Sequence, residues 1–307
     1  MADSQTGPNG IPVETFTVGS SSFKMAPQAG FRLMRWDLHT VRGERPILYW
    51  PDDPQGRPFP NIRGGNPILF PFAGRSYDRG LENHWRATTG DRLPMPRHGF
   101  ARDGVFAVDS RSDDHILGHL EPGETARSAY PFDYTFSVEY RFQELAFVVT
   151  LSLQNHGPDP VPWSAGHHFY FNLPWHPDAR RRDYQLNMEA RKCACHGPDG
   201  KLVMQKCRDS CHDLSDTALL DRIHWQLRHN RVSFGPKGGE EDLHLIIGED
   251  PVPQRGYSVV TWSESEDAPY YCVEPWMGPP NAAEHGKGLH WVGAGETGTF
   301  RVEVSLF

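Results

Sequence analysis

The chain has 307 residues, 37% hydrophobic and 23% charged, with a formal net charge of −8. That composition excludes a disordered chain. The acidic balance excludes a broad basic face for nucleic acid or anionic membrane, though not a local arginine cluster. The length suits one large all-β domain, expected to span 1–307.

No apolar run approaches the roughly 18 residues of a spanning helix. The opening MADSQTGPNGIPVE is polar and rich in Pro and Gly, without the basic and apolar regions of a secretory signal. Five cysteines leave an odd count. Together these point to a reducing cytoplasm and no disulfide framework.

Thirty glycines and 27 prolines punctuate many short strands and leave little room for long helices. In chain order, 50–100 is loop-rich, with Pro, Gly, Arg and Asn dominant. Residues 134–142 alternate strictly: Tyr134, Phe136, Val138, Tyr140 and Phe142 are separated by polar residues, as in a half-buried strand. The run from Leu145 to Leu153 repeats the pattern, so the two predict a hairpin joined through Gln143-Glu144. After the turn Asn155-His156-Gly157-Pro158, a segment from Pro160 to Phe171 is expected to continue the meander. The best helical candidate is 217–229. Further strands are expected at 243–247, 257–262, 270–274 and 299–306, with Pro275 ending the third of these. So many antiparallel strands predict a β-sandwich or barrel with few short helices.

Four clusters hold functional side chains at unusual density: the opening strands, RGGNPILFPFAGR (63–75), MPRHGFAR (95–102) and VEPWMGPPNA (273–282). Arg63, Arg75 and Arg102 carry planar forks suited to sugar hydroxyls or phosphate oxygens, or are three unrelated surface cations. Glu274, among apolar residues, is either a desolvated functional acid or the partner of an arginine. GHHFYFNLP (166–174) puts two histidines side by side, and on a strand at most one of His167 and His168 faces a given site. CACH (193–196) and CRDSCH (207–212) hold metal-type residues, but C-x-C and C-x3-C are not the usual zinc spacings, so metal is not expected.

These clusters together resemble the aldose 1-epimerase (galactose mutarotase-like) superfamily, including its hexose-6-phosphate 1-epimerase branch. His168-Phe169-Tyr170-Phe171-Asn172-Leu173 is similar to the family's H-x-Y-F-N-L motif, which carries its catalytic histidine. V-E-P-W falls on Glu274, G-G-x-P…F-P…G-R on Gly64 to Arg75, H-G-F-A-R on His98 to Arg102, and FKMAPQAGFRLMRWDL looks like the family's start. The resemblance implies a supersandwich fold and interconversion of the α and β anomers of a hexose. Glu274 would be the base, His168 a charged acid, and His98, Arg75 and Arg102 would orient hydroxyls. In the phosphate branch Arg63 and Arg102 would grip the 6-phosphate. Trp276, Phe72 and Tyr170 are candidate walls for the sugar ring, but by burial alone each is rather expected in the core. The implied partner is a small sugar or sugar phosphate handled by a monomer or homodimer, with no cofactor or metal. The other readings are a non-catalytic sugar-binding module and a glycoside hydrolase or lyase, the latter disfavoured because hydrolysis usually takes two flanking carboxylates.

Overall fold

The computed structural model describes residues 3–7, 10–54, 56–207, 210–239 and 241–307, with residues 3–6 described by their backbone alone. Among the described residues two large antiparallel sheets dominate, one of nine strands and one of 13. The nine-stranded sheet contains the hairpin that alternation predicts. Tyr134–Gln143 pairs with Ala146–Asn155, and Phe136, Val138, Tyr140 and Phe142 are buried on one face. The turn is one residue later than expected: Gln143 pairs with Ala146, so Glu144-Leu145 make the loop and Leu145 is exposed. Thr297–Leu306 lies on the other side of Ala146–Asn155, followed by Leu243–Ile247.

Because Thr297–Leu306 occupies that edge, the 160–171 segment does not continue the meander. It breaks into Val161–Trp163, Gly166–His167 and Phe169–Asn172, and the last two join the 13-stranded sheet. The expected helix over 217–229 is also replaced. Thr217–Leu219 makes one 3-10 turn, and Arg222–Leu227 is a strand between Ala190–His196 and Ser258–Trp262. Ile223, His224, Trp225 and Leu227 are buried there, so apolar residues on both faces imitate a helical stripe.

The two sheets share a core that runs from Phe16 to Leu306. Stacked aromatics such as Phe70 on Phe136, with ring centroids 3.8 Å apart, fill it. No helix among the described residues is long and apolar enough to cross a membrane.

In the 13-stranded sheet the strand Tyr270–Trp276 is buried along its whole length. One face meets the core through Tyr271 and Val273. The opposite face carries Cys272, Glu274 and Trp276, which belong to neither that cluster nor open solvent. Pro275 does not end the strand: it pairs with Val259, and Trp276 pairs with Ser258.

Candidate functional site

Strand register brings His168 and Glu274 together. Phe169 pairs with Val273 and Gly166 with Trp276. Both pairs fit one register, which sets His168 opposite Glu274 and His167 opposite Pro275. The Met277 N–H donates to the Ala165 carbonyl, so hydrogen-bonded pairs fall at odd positions of the 165–169 segment and His168/Glu274 is a non-hydrogen-bonded pair. Such pairs bring side chains closest together. His168 Nε2 and Glu274 Oε2 are 3.4 Å apart. At the next pair Pro275 has no N–H to give to the His167 carbonyl, and the indole Nε1–H of Trp276 donates to it instead at 3.2 Å.

His168 and His167 therefore face opposite sides, as alternation requires. His168 stacks on Tyr170 at 4.5 Å between ring centroids and lines a cavity of about 690 Å³. His167 is buried in the core between Phe169 and Phe300. One residue holds both. Asn66 Nδ2 reaches His167 Nδ1 at 3.1 Å and donates to Tyr140 Oη at 2.8 Å, while Asn66 Oδ1 accepts the His168 N–H at 3.1 Å. Sequence reasoning passed over Asn66, although it stands inside the RGGNP motif.

All six site residues expected from the sequence line this one cavity: Arg63, Arg75, His98, Arg102, His168 and Glu274. They arrive from different places. Arg63 follows the 3-10 turn Phe59–Asn61, Arg75 follows Gly74, Arg102 sits in the 3-10 turn Ala101–Asp103, and His98 occupies a left-handed position with φ of 69°. His98 and Gly74 bind each other twice. The His98 N–H donates to the Gly74 carbonyl at 2.7 Å, and His98 Nδ1 accepts the Gly74 N–H at 3.1 Å. An accepting Nδ1 puts the imidazole proton on Nε2, which makes Nε2 a donor.

Of the three aromatics that could wall the sugar or fill the core, Tyr170 and Trp276 line the cavity and Phe72 does not. It packs against Trp85 and Tyr130 in the core. The cavity also takes in Arg57, Arg97, His196, Asp221, Trp262 and Asn281; Arg97, His196 and Asn281 lie in stretches the sequence marked for chemistry, but none was named as a site residue. Arg97 was within reach, standing next to His98 in a cluster already dense in arginine. The rest come from segments that meet only in the folded chain.

Burial decides the protonation states. It pushes the Glu274 carboxyl well above the usual carboxylate range and the His168 imidazole down to about 3. Both shifts favour the neutral forms of the pair over the carboxylate and imidazolium that the resemblance implies. His98 is likewise pushed well below its ordinary value, by burial first and His168 second. His167 and His224, both buried, are lowered to about 3.

These histidines predict a pH profile for stability. The unfolded chain protonates His98, His167, His168 and His224 near pH 6.5, whereas the folded chain holds the last three neutral down to about 3. Each such proton lowers stability by about 1.4 kcal/mol per pH unit as pH falls through that window. Glu274 acts in the opposite sense above about pH 4.5, where the folded chain keeps a proton that the unfolded chain loses, and it offsets at most one histidine. Urea midpoints should therefore be lower at pH 5 than at pH 7.5; equal midpoints would refute neutral buried histidines.

The cysteine-rich stretch reaches the cavity through His196, which lies 2.9 Å from Asp221, but its cysteines do not line it. Cys193 is buried 3.8 Å from His224 Nδ1, and its thiol is pushed up to about 12, by burial first and Cys207 second. Among the described residues this stretch brings no three ligand atoms together. Arg208 and Asp209 within it lie outside the described residues.

Residues 48–271 match the family described as Aldose 1-epimerase. "Protein LacX, chromosomal" of Lactococcus lactis subsp. lactis is 21% identical over 272 residues, which cover 83% of this chain and 86% of that protein. "Putative glucose-6-phosphate 1-epimerase" of Escherichia coli (strain K12) is 24% identical over 246 residues, covering 76% of this chain and 68% of that one. Among solved structures, a galactose mutarotase related enzyme from Lactobacillus acidophilus superposes with a TM-score of 0.78 at 21% identity, covering 96% of this chain and 97% of that one.

Proposed function

The chain belongs to the aldose 1-epimerase family, whose members are isomerases acting on carbohydrates, and on that premise we propose that it anomerises a hexose at the His168/Glu274 pair. The observation that carries the reading is the cross-strand placement of these two groups, 3.4 Å apart on the floor of the cavity. Anomerisation needs one base and one acid, and the reaction returns both to their starting states. Glu274, as carboxylate, takes the proton of the C1 hydroxyl. The C1–O5 bond breaks, C1 becomes an aldehyde, and O5 takes a proton from His168. Rotation about C1–C2 presents the other carbonyl face. Reclosure returns the O5 proton to His168, and Glu274 gives its proton back to O1. Proton transfer from Glu274 to His168 within the pair supplies the carboxylate and imidazolium, and sugar hydroxyls that hydrogen-bond to both groups favour these charged forms. His98, through its Nε2–H, is placed to donate to a sugar oxygen. A single carboxylate beside a histidine does not supply the two flanking carboxylates of most glycoside hydrolases.

The arginines favour a phosphorylated substrate. Arg57, Arg63, Arg75, Arg97 and Arg102 line the cavity against Asp221, Glu264 and Glu274, and burial holds the last of these protonated. Arg63 pairs with Glu264, Arg75 with Glu82 and Arg102 with Asp103. Among the described residues no carboxylate is paired with Arg97. Its pKa is lowered, by burial first and then by Arg102 and Arg75. An anion is the missing charge there. The E. coli relative whose name carries glucose 6-phosphate supports the same substrate.

Exchange NMR on the anomers of glucose and glucose 6-phosphate tests the reading, with the uncatalysed rate subtracted. The phosphorylated sugar should be turned over far faster at low concentration. Arg97→Ala should raise its KM about 10–100-fold and leave free glucose unchanged. An equal effect on both sugars would remove the phosphate reading, and binding without rate enhancement would remove the catalytic one.

The two histidines separate chemistry from packing. His168→Asn should abolish most turnover with little change in melting. His167→Asn should cost about 1–3 kcal/mol of stability, through a misfit polar group beside Asn66, and leave turnover within about tenfold. Equal loss of turnover from both would undo the assignment by face.

A further inference from the structure

Beside the His168/Glu274 pair lies a third chemically active side chain. Cys272 precedes Glu274 by two residues, so it faces the same side of the strand, and it pairs with Tyr170 as Glu274 lies opposite His168. One ligand atom from each of His168, Cys272 and Glu274 lies within 4.8 Å of the other two. Cys272 is fully buried among Tyr170, Tyr270 and Trp262, behind the cavity wall that Tyr170 and Trp262 form.

We propose that this trio binds a thiophilic divalent cation of the zinc class, which occupies the floor in competition with the sugar. An imidazole nitrogen, a thiolate and a carboxylate make the mixed donor set of a three-ligand zinc site that leaves its fourth position open. The 3.4 Å between His168 Nε2 and Glu274 Oε2 is the edge spanned by a tetrahedral centre. Bonds of about 2.0–2.1 Å to nitrogen and oxygen require such an edge. The fourth position opens toward the cavity, where water or a sugar hydroxyl completes the shell. On binding, the Cys272 thiol and the Glu274 carboxyl release their protons to water. Thiolate and carboxylate together cancel the 2+ charge, so the surrounding arginines meet no net cation. The metal ties up the groups that move protons and is an inhibitor, not a cofactor. Competition with sugar rests on the function proposed above; the cation site itself does not.

Titration of the full-length protein with cobalt(II) chloride tests it. One equivalent should bind with a thiolate-to-cobalt charge-transfer band in the near ultraviolet. Cys272→Ala and, independently, Glu274→Gln should weaken binding at least tenfold, and only the former should remove the band. Paired substitution of Cys193 and Cys207 should leave the band intact. α-Glucose 6-phosphate should release the cobalt, and zinc chloride should slow turnover in the same concentration range. Absence of the band, its survival in Cys272→Ala, or its loss only with Cys193 and Cys207 would overturn the proposal. If Cys272→Ala fails to fold, the Glu274→Gln titration and the sugar displacement still decide it. Cobalt binding without any sugar turnover would sink the epimerase reading and leave the cation site standing.

Discussion

Glu274→Gln is expected to cut anomerisation by about 10²–10⁴-fold while the protein melts at the same temperature or higher. Glutamine keeps the shape of the side chain but cannot carry a proton. Glu274 is only 2% exposed, and burial already disfavours its charge, so removing the ionisable group does not harm the folded state. The loss should appear in kcat more than in KM, because the missing event is proton transfer and not binding. His168→Asn should lose a similar factor. The double variant should lose little more than either single one, since each group is useless without the other. Polarimetry or exchange NMR reads the rate, and calorimetry the melting temperature. A Glu274→Gln enzyme with more than a tenth of the original turnover would show that another group is the base.

Gly99→Ala is expected to be among the most damaging single substitutions away from the reacting groups, costing about 2–4 kcal/mol. Gly99 has φ of 70°, where a side chain is strained. A Cβ built there falls deep inside contact distance of the Phe70 carbonyl, which is rigid backbone. That carbonyl also accepts the Phe100 N–H at 2.8 Å. The 95–102 loop cannot back away without breaking this bond and the paired bonds between His98 and Gly74. The surviving folded fraction should therefore bind sugar poorly, with Arg97, His98 and Arg102 displaced. Urea unfolding and KM on the same sample check both halves. A variant within about 0.5 kcal/mol of the parent would show that the loop is free to shift.

The half-buried hairpin was legible because one face meets the core and the other meets water, and alternation records that difference residue by residue. Tyr270–Trp276 hides its function for the opposite reason. Both faces are buried, one against the core and one under the cavity, so Glu274 stands in a run that reads as continuous core until its cross-strand partner is known. Residues 222–227 misled in a related way. They lie between two other strands and bury the Arg222 side chain, which reaches the Lys206 carbonyl. With no exposed face to break the pattern, helix and strand look alike. Arg97 and Asn281 stood in clusters the sequence marked, but that they meet Asp221 in one cavity was not legible, because loops from distant parts of the chain bring them together.

The cross-strand register has a consequence for how such an enzyme changes over time. The spacing of His168 and Glu274, the proposed proton donor and acceptor, is set by backbone pairing in the middle of a sheet. The cations that would recognise the far end of the sugar stand on loops outside it. Mutation can therefore rewrite those loops, lengthening, shortening or recharging them, while the reacting pair keeps its distance.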